Sequence, residues 1–494
     1  MEGKDDGPSS DDIAKCAAVL QQLSAADLQH PELSPIREAG LPLFRRLVLK
    51  EKFGSEEVLD FLKKKSDVHQ MTAKLQRLHR VVKDEHDARR QKAESCGMNL
   101  RRKADLAAIK AESQMPDEQC AEPRAADVDR MANTPVDSLY SNCNMCRGEY
   151  IDHHHFYHQL CPRCAEHNWE KRHQSADMSG MVCVVTGGRV RIGFRIVLKL
   201  LRAGAFVLTT TRYPNDCALR FSQESDYEVW RHRLEVLINN AAQTLTRREG
   251  WNIRMAKLET QAASQLPSAS HAAIRPPEQV AAIAAQPAQS KEVVPLPQAN
   301  AALWKEAAVL KDFPEGELDE SLQPLDLSSV NSWSRRLEEV STVELLQTLA
   351  ANTAAPFIMC SKLANVLGPK EASEAYGHVV NVSALEGKFS VKNKSPGHPH
   401  TNMAKAALNM MTHTSCKDMF RRRILMNCVD TGWVTDMAPG GVGSVAATHE
   451  TWVGPPLDEE DGAARVLDPV FSHLKDCTWL LRGRFFKNYY VAGW

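Results

Sequence analysis

Residues 181–204, MVCVVTGGRVRIGFRIVLKLLRAG, constrain this chain more than any other stretch. A short apolar, β-branched run at 182–185 leads into the glycines of TGGRVRIG. Ile192, Ile196, Val197, Leu200 and Leu201 then recur at helical spacing until Gly204. The pattern predicts a strand, a tight loop and a helix. Such a turn aims unpaired backbone N–H groups and the positive end of a helix dipole at one point, where a dinucleotide pyrophosphate can rest. The glycines alone say little; their flanks carry the reading. Residues 205–211, AFVLTTT, read as a second strand. Arg212 at its end favours a cofactor with a 2′-phosphate, NADP over NAD, the alternative being an ordinary surface arginine.

Composition limits what surrounds this unit. With 494 residues, 43% apolar and 25% charged, the chain has the make-up of a soluble globular protein with room for two to four domains. A net charge of -1 argues against nucleic-acid binding by the whole chain. The start, MEGKDDGPSSDD, lacks the basic-then-apolar order of a secretory signal, and no apolar run is long enough for a bilayer, so a cytoplasmic location without membrane contact is expected. Residues 1–135 read as helical. Between Leu41 and Lys110 there are 18 Lys and Arg against 10 Asp and Glu, which suits a solvated helical face, the alternatives being an acidic partner, such as a protein, or nucleic acid.

Thirteen cysteines in a chain of this kind are expected to be thiols or metal ligands. Cys143 and Cys146 form one CxxC, Cys161 and Cys164 another, with 14 residues between. Two turns each offering two thiolates can surround one Zn2+ tetrahedrally, with no position left open for catalysis. Residues 136–172 are therefore expected to be a small module folded by structural zinc. His153, His154, His155 and His158 lie between the pairs, either as surface residues or as replacement ligands.

Four motifs then follow in order: TGGRVRIG, LINNAAQT with Asn239, Asn240 and Ala241, HVVNVSALEG, and HTNMAKAALNMMT with Lys405. Together they resemble the motifs of the short-chain dehydrogenase/reductase family, over residues from about 180 to 440. The resemblance implies an α/β fold with a Rossmann-like, doubly wound parallel sheet across residues 178–494, an NADP(H) cofactor, and hydride transfer to or from a small carbonyl or alcohol. It implies cofactor contacts at Thr186, Gly187, Gly188, Arg189, Ile192, Gly193, Arg212, Asn239, Asn240, Ala241, Lys405, Gly432 and Val434. It implies catalytic positions at Asn352, Ser383, Thr401 and Lys405, and leaves a homo-oligomer open.

The departures are as informative. Arg191 stands at the middle glycine of TGxxxGxG, where a side chain crowds the pyrophosphate unless the loop moves outward, with Arg189 or Arg191 then free to bind a phosphate. The serine of the family's Asn-x-x-Ser falls on Ala384, one residue beyond Ser383, so Ser383 can serve only if the strand ends or bulges there. The tyrosine of YxxxK is Thr401, a poor proton donor, with His398 and His400 as nearby substitutes. A catalytically impaired NADP-binding scaffold or sensor is therefore the alternative reading. Only 53 positions separate Thr186 from Asn239, too few for the usual three strand-and-helix units, so either the sheet lacks a strand or the chain is a splice variant or faulty gene model. Residues 244–325, rich in Ala, Gln, Ser and Pro, are expected to be a mostly disordered insertion.

Overall fold

The computed structural model describes residues 91, 95–104, 141–150, 152–229, 237–239, 247–267, 310–369, 375–391, 394–435, 437 and 454–494. All fall in the second of two units, Glu85–Trp494. Most of the expected N-terminal helical region, together with Asn240 and Ala241, lies outside the described residues.

Among the described residues seven strands form one sheet. In spatial order they are β4 (Phe206–Thr210), β3 (Val182–Thr186), β5 (Leu237–Asn239), β6 (Gly377–Ser383), β7 (Ile424–Asp430), β8 (Phe485–Lys487) and β9 (Tyr490–Ala492). All neighbours are parallel except β8 and β9. A two-stranded hairpin of β1 (Ser141–Asn142) and β2 (Glu149–Tyr150) stands apart from this sheet.

The central strands are buried on both faces, and their side chains alternate between two helical layers. Val380, Val382 and Val429 meet α2 (Arg191–Arg202) and α8 (Glu459–Lys475), alongside Ile196, Leu200, Val466 and Phe471. Val379 and Met426 join Ile424 against α6 (Ala355–Leu367) and α7 (Pro399–Arg421), through Cys360, Ala364 and Met419. Helices on both faces make the sheet doubly wound. The chain passes from β3 outward to β4, then returns to β5 on the other side of β3. That reversal opens a crevice beyond the strand ends, and the glycine-rich loop lies at it.

β4 is the edge strand: among the described residues no strand pairs with its outer side, and Phe206 and Leu208 are exposed. After β4 come α3 (Pro214–Ser222) and a 3-10 turn, Tyr227–Val229, with no further strand before β5 among the described residues.

The stretch 244–325 departs from the expected disorder at both ends. It holds α4 (Glu249–Gln265), whose Trp251 and Met255 bury against Phe313. Trp251 Nε1 also donates to the Pro324 carbonyl. Composition pointed to a loop because the proline-rich middle outweighs these few apolar anchors. Residues 268–309 lie outside the described residues.

The cysteine-bearing segment packs on the large sheet's helices. Its helix α1 (Pro162–Arg172) lies against α8, and Tyr157, Leu160 and Ala165 share one apolar cluster with Val434 and Leu457. Arg101 and Arg102, from the basic stretch expected to be solvated, bind here too. Arg101 pairs with Asp458, and Arg102 donates to the carbonyls of Pro455 and Leu457.

Candidate functional site

The glycine-rich loop joins β3 to α2 with the backbone of a phosphate loop. Gly187 has φ +70°, and its N–H donates to the Thr210 carbonyl at 2.9 Å. Gly188 leaves no room for a side chain: a Cβ would lie 2.0 Å from Thr209 Oγ1. Arg191 has φ +55°, a left-handed conformation that is uncommon outside glycine. Its guanidinium is held by a hairpin turn that folds over the loop. It pairs with Asp319 at 2.9 Å and Glu320 at 3.5 Å, and donates to Ser321 Oγ. Burial alone would lower the Arg191 pKa, but the charges of Asp319, Glu320 and Glu459 raise it.

Arg189 is likewise engaged, with Asp216 at 2.6 Å and Gln323 at 2.7 Å. Both arginines expected to be free for a phosphate therefore face carboxylates. The turn itself is well tied: Asp319 Oδ1 accepts from the N–H groups of Ser321 and Gln323, and Arg220 donates to the carbonyls of Ser321 and Leu322. Arg212, exposed after β4, lies over the Tyr213 ring.

Lys405 lies on the buried face of α7, and its Nζ donates to the Val382 carbonyl at 2.9 Å. Burial pulls its pKa down to about 8, against the smaller opposing pull of Cys428 and Glu386. Thr401, one helical turn earlier on the same side, is also buried, and among the described residues its Oγ1 has no hydrogen-bond partner.

β6 ends at Ser383, and strand alternation places Ser383 on the α7 face without a bulge. Its Oγ donates to Asn409 Oδ1 at 2.6 Å, and Asn409 Nδ2 donates to the Gly387 carbonyl. Asn381, two residues earlier, donates to Thr412 Oγ1. Sequence reading missed Asn409 and Thr412. They lie four and seven residues after Lys405, and that helical spacing of polar groups was the available signal.

Asn352 falls in a π-helical turn, Ala350–Ala354, between α5 (Thr342–Leu349) and α6, and its Nδ2 donates to the Thr348 carbonyl. Single π turns often mark functional sites. Thr353 fastens this turn to α7 through the carbonyl of Ala404, next to Lys405. The structure thus brings Asn352, Ser383, Thr401 and Lys405 onto elements that pack around α7.

Of the two histidines offered as substitute acids, His398 is engaged elsewhere and His400 is buried with neither ring nitrogen hydrogen-bonded among the described residues. His398 stacks on Trp333 at 3.9 Å between ring centroids, and its Nδ1 lies 2.9 Å from the Trp333 carbonyl. His400 is buried 3.5 Å from Glu344. Burial would raise the Glu344 carboxyl, but the nearby His400, the hydrogen bond from Ser332 and the charge of Arg335 bring it down to about 2. Asp430, at the end of β7, was also missed. It accepts from Leu385 N and Gly432 N, so one carboxylate holds the exits of both β6 and β7. Gly432 has φ +80°, and Val434 is buried beside Leu457.

On the far side of α8, Cys143, Cys146, Cys161 and Cys164 converge, with all four Sγ atoms within 4.8 Å of one another. His153, His154, His155 and His158 are not members of this set.

Residues 327–460 match the enoyl-(acyl carrier protein) reductase family. The match covers the stretch from the fold's return after the insertion to the start of α8, and so includes Asn352, Ser383, Thr401 and Lys405. The chain is also 25% identical over 376 residues to uncharacterized protein R665 of Acanthamoeba polyphaga mimivirus, covering 67% of this chain and 72% of that one. Among solved structures it is similar to the carbonyl reductase Sniffer of D. melanogaster, at 17% identity and TM-score 0.36, covering 63% of this chain and 98% of that one. It is similar as well to the Pseudomonas aeruginosa RhlG/NADP active-site complex, at 16% identity and TM-score 0.35, covering 63% and 95%. No helix among the described residues is long and apolar enough to cross a membrane.

Proposed function

We propose that the chain is an NADP(H)-dependent oxidoreductase of the short-chain dehydrogenase/reductase kind, acting on a small carbonyl or alcohol. The observation that carries this reading is Lys405. A lysine buried at the end of the central strands, with its pKa brought to about 8, is poised for proton chemistry near neutral pH. The cofactor's fit rests on the backbone: the Gly187 turn, the absence of space beside Gly188 and the left-handed residue 191 keep the cradle that a pyrophosphate requires.

Thr186, Gly187, Gly188 and Gly193 would line that cradle, Arg212 would meet a 2′-phosphate, and Gly432 and Val434 would lie on the nicotinamide side. When bound, NADPH supplies the hydride for a carbonyl carbon. The protein must then deliver a proton to the oxygen. Lys405 would hold that proton with its Nζ fixed by the Val382 carbonyl, and the buried Thr401 hydroxyl, one helical turn earlier, has no hydrogen-bond partner among the described residues and can both donate and accept.

The second reading, an NADP(H)-binding protein without turnover, is favoured by Ser383, whose hydroxyl proton is committed to Asn409, and by the lack of a phenol at Thr401. Fluorescence titration with NADPH separates binding from none. Turnover across a carbonyl panel, beside Lys405→Ala, separates the two readings. NADPH binding with no turnover on any carbonyl would leave the second, and turnover untouched by Lys405→Ala would remove the assigned site.

A further inference from the structure

We propose that Cys143, Cys146, Cys161 and Cys164 hold one Zn2+, and that this ion fixes the start of α8. Metal content would thereby be coupled to the crevice beside the glycine-rich loop. The thiols come from two turns, the β1–β2 hairpin and the first turn of α1, and all four are free cysteines. A tetrahedral zinc with Zn–S of about 2.3 Å sets its sulfurs about 3.8 Å apart. Cys146 Sγ and Cys161 Sγ are 3.8 Å apart. The Gly148 N–H points at Cys146 Sγ from 3.4 Å, the contact a thiolate ligand accepts. Four sulfurs close the coordination sphere, so the ion's role is structural.

What the ion would hold is specific. Strands β1 and β2 have two residues each, too few to order residues 141–161 without a staple. From this segment Tyr157 Oη donates to Asp461 Oδ1 at 2.5 Å, and Gln159 donates to the Gly454 carbonyl. From α1, Asn168 donates to Asp461, while Arg172 binds Asp458 through two nitrogens and reaches Asp461 at 2.9 Å. Asp458 and Asp461 are the capping box of α8, each accepting the other's backbone N–H. Asp461 is fully buried, so its carboxylate depends on these donors.

The start of α8 in turn touches the candidate cofactor site. A Cβ on Gly462 would lie 2.9 Å from the Ile192 side chain and 3.2 Å from Val434 Cγ2, so the helix passes both residues without slack. A shift of α8 therefore moves the entrance of α2 and the loop after β7 together.

The coupling rests on the proposed cofactor site, but its test does not need cofactor binding. Protein purified without chelator should carry one zinc per chain by elemental analysis. Iron in its place, or no metal, overturns the assignment. Zinc is then withdrawn from the intact protein with a mercurial and a chelator, and amide exchange is followed without nucleotide. Exchange should accelerate at least tenfold across 454–475, stay unchanged in β6 and β7, and recover on adding Zn2+ alone. Unchanged exchange in α8 overturns the coupling even if NADPH never binds. Where NADPH does bind, its Kd should rise at least tenfold on zinc removal and recover with the metal. Tyr157→Phe, which leaves every thiol in place, should keep one zinc and still speed exchange at the start of α8. A Tyr157→Phe protein with native exchange also overturns the route.

Discussion

The two ends of the candidate site have met substitution in opposite ways. At the glycine-rich loop Arg191 stands where the motif it resembles has glycine, and it adopts a left-handed φ of +55°. At α7 Thr401 stands where the resembled motif has tyrosine; the helix buries it together with Lys405, but it offers no phenol. The first end works through backbone N–H groups, which any residue that adopts the conformation supplies. The second, in the proposed function, would work through one side chain's acidity, which nothing but that chemistry supplies. A loop can absorb a foreign side chain by pairing it with a neighbouring turn, as Arg191 is with Asp319 and Glu320; a proton donor has no such freedom.

The largest effect should come from restoring the lost group. Thr401→Tyr, alone or with Ala384→Ser, should raise kcat for NADPH-dependent carbonyl reduction by about 10²–10⁴-fold, the usual worth of a well-placed general acid. Steady-state rates, with a thermal melt to show that the larger ring is accommodated, decide it. No gain in either variant would mean that the difference between the two ends does not lie in the missing phenol.

Lys405→Met tests the same end from the other side. The folded pKa of about 8 lies below the ordinary 10.5, so between those values the unfolded chain binds more protons than the folded one. The lysine therefore lowers stability below about pH 8, and the penalty fades as pH rises toward 10.5. Lys405→Met should stabilise the protein at pH 7 by about 1–3 kcal/mol, lose that advantage near pH 10.5, and reduce turnover at least 100-fold. In the parent protein, reduction should weaken above about pH 8 as the ammonium is lost. Denaturant melts across pH and a pH–rate profile measure both.

Glu344 holds the start of α7 through His400, and its carboxyl, at about 2, lies below the ordinary 4.5. Here the unfolded chain again takes up more protons between the two values, so the carboxylate stabilises the fold at neutral pH and its contribution disappears as pH falls from about 4.5 to 2. Glu344→Gln should remove on the order of 2 kcal/mol at pH 7 and flatten the acid limb of the stability curve. An unaltered acid limb would show that α7 is held by its packing alone.

What the sequence revealed divides along the same line. The β3–loop–α2 unit, β4 and the strand that ends at Ser383 were legible because local spacing and apolar runs dictate them. That no strand pairs with the outer side of β4 among the described residues agrees with the shortage of residues between Thr186 and Asn239. The helix α4 was not, since Trp251 and Met255 gain their meaning only when Phe313, far along the chain, arrives against them. Nor could sequence spacing show that Asp319 would find Arg191 or that Arg172 would cap α8 through Asp458, because each pair is over a hundred residues apart and joined by tertiary folding alone. His398 and His400 looked like catalytic substitutes from proximity to Thr401, whereas their directions are set by Trp333 and Glu344.

The smallest effect bears on the loop end. Asp319 contacts Arg191 with Oδ2 and holds its own turn with Oδ1, which accepts from Ser321 N and Gln323 N. Asp319→Asn can keep the turn while removing the charge that competes with a cofactor phosphate for the guanidinium. A partly exposed ion pair of this kind is worth about 1 kcal/mol or less, so NADPH should bind about three- to fivefold more tightly, with thermal stability little changed. The gain should shrink as salt is added, because screening weakens the competitor and the ligand alike. Binding that stays equal or weakens at low salt would show that the turn over the loop does not contend for the phosphate. The substituted arginine would then be a structural replacement whose side chain the cofactor never meets.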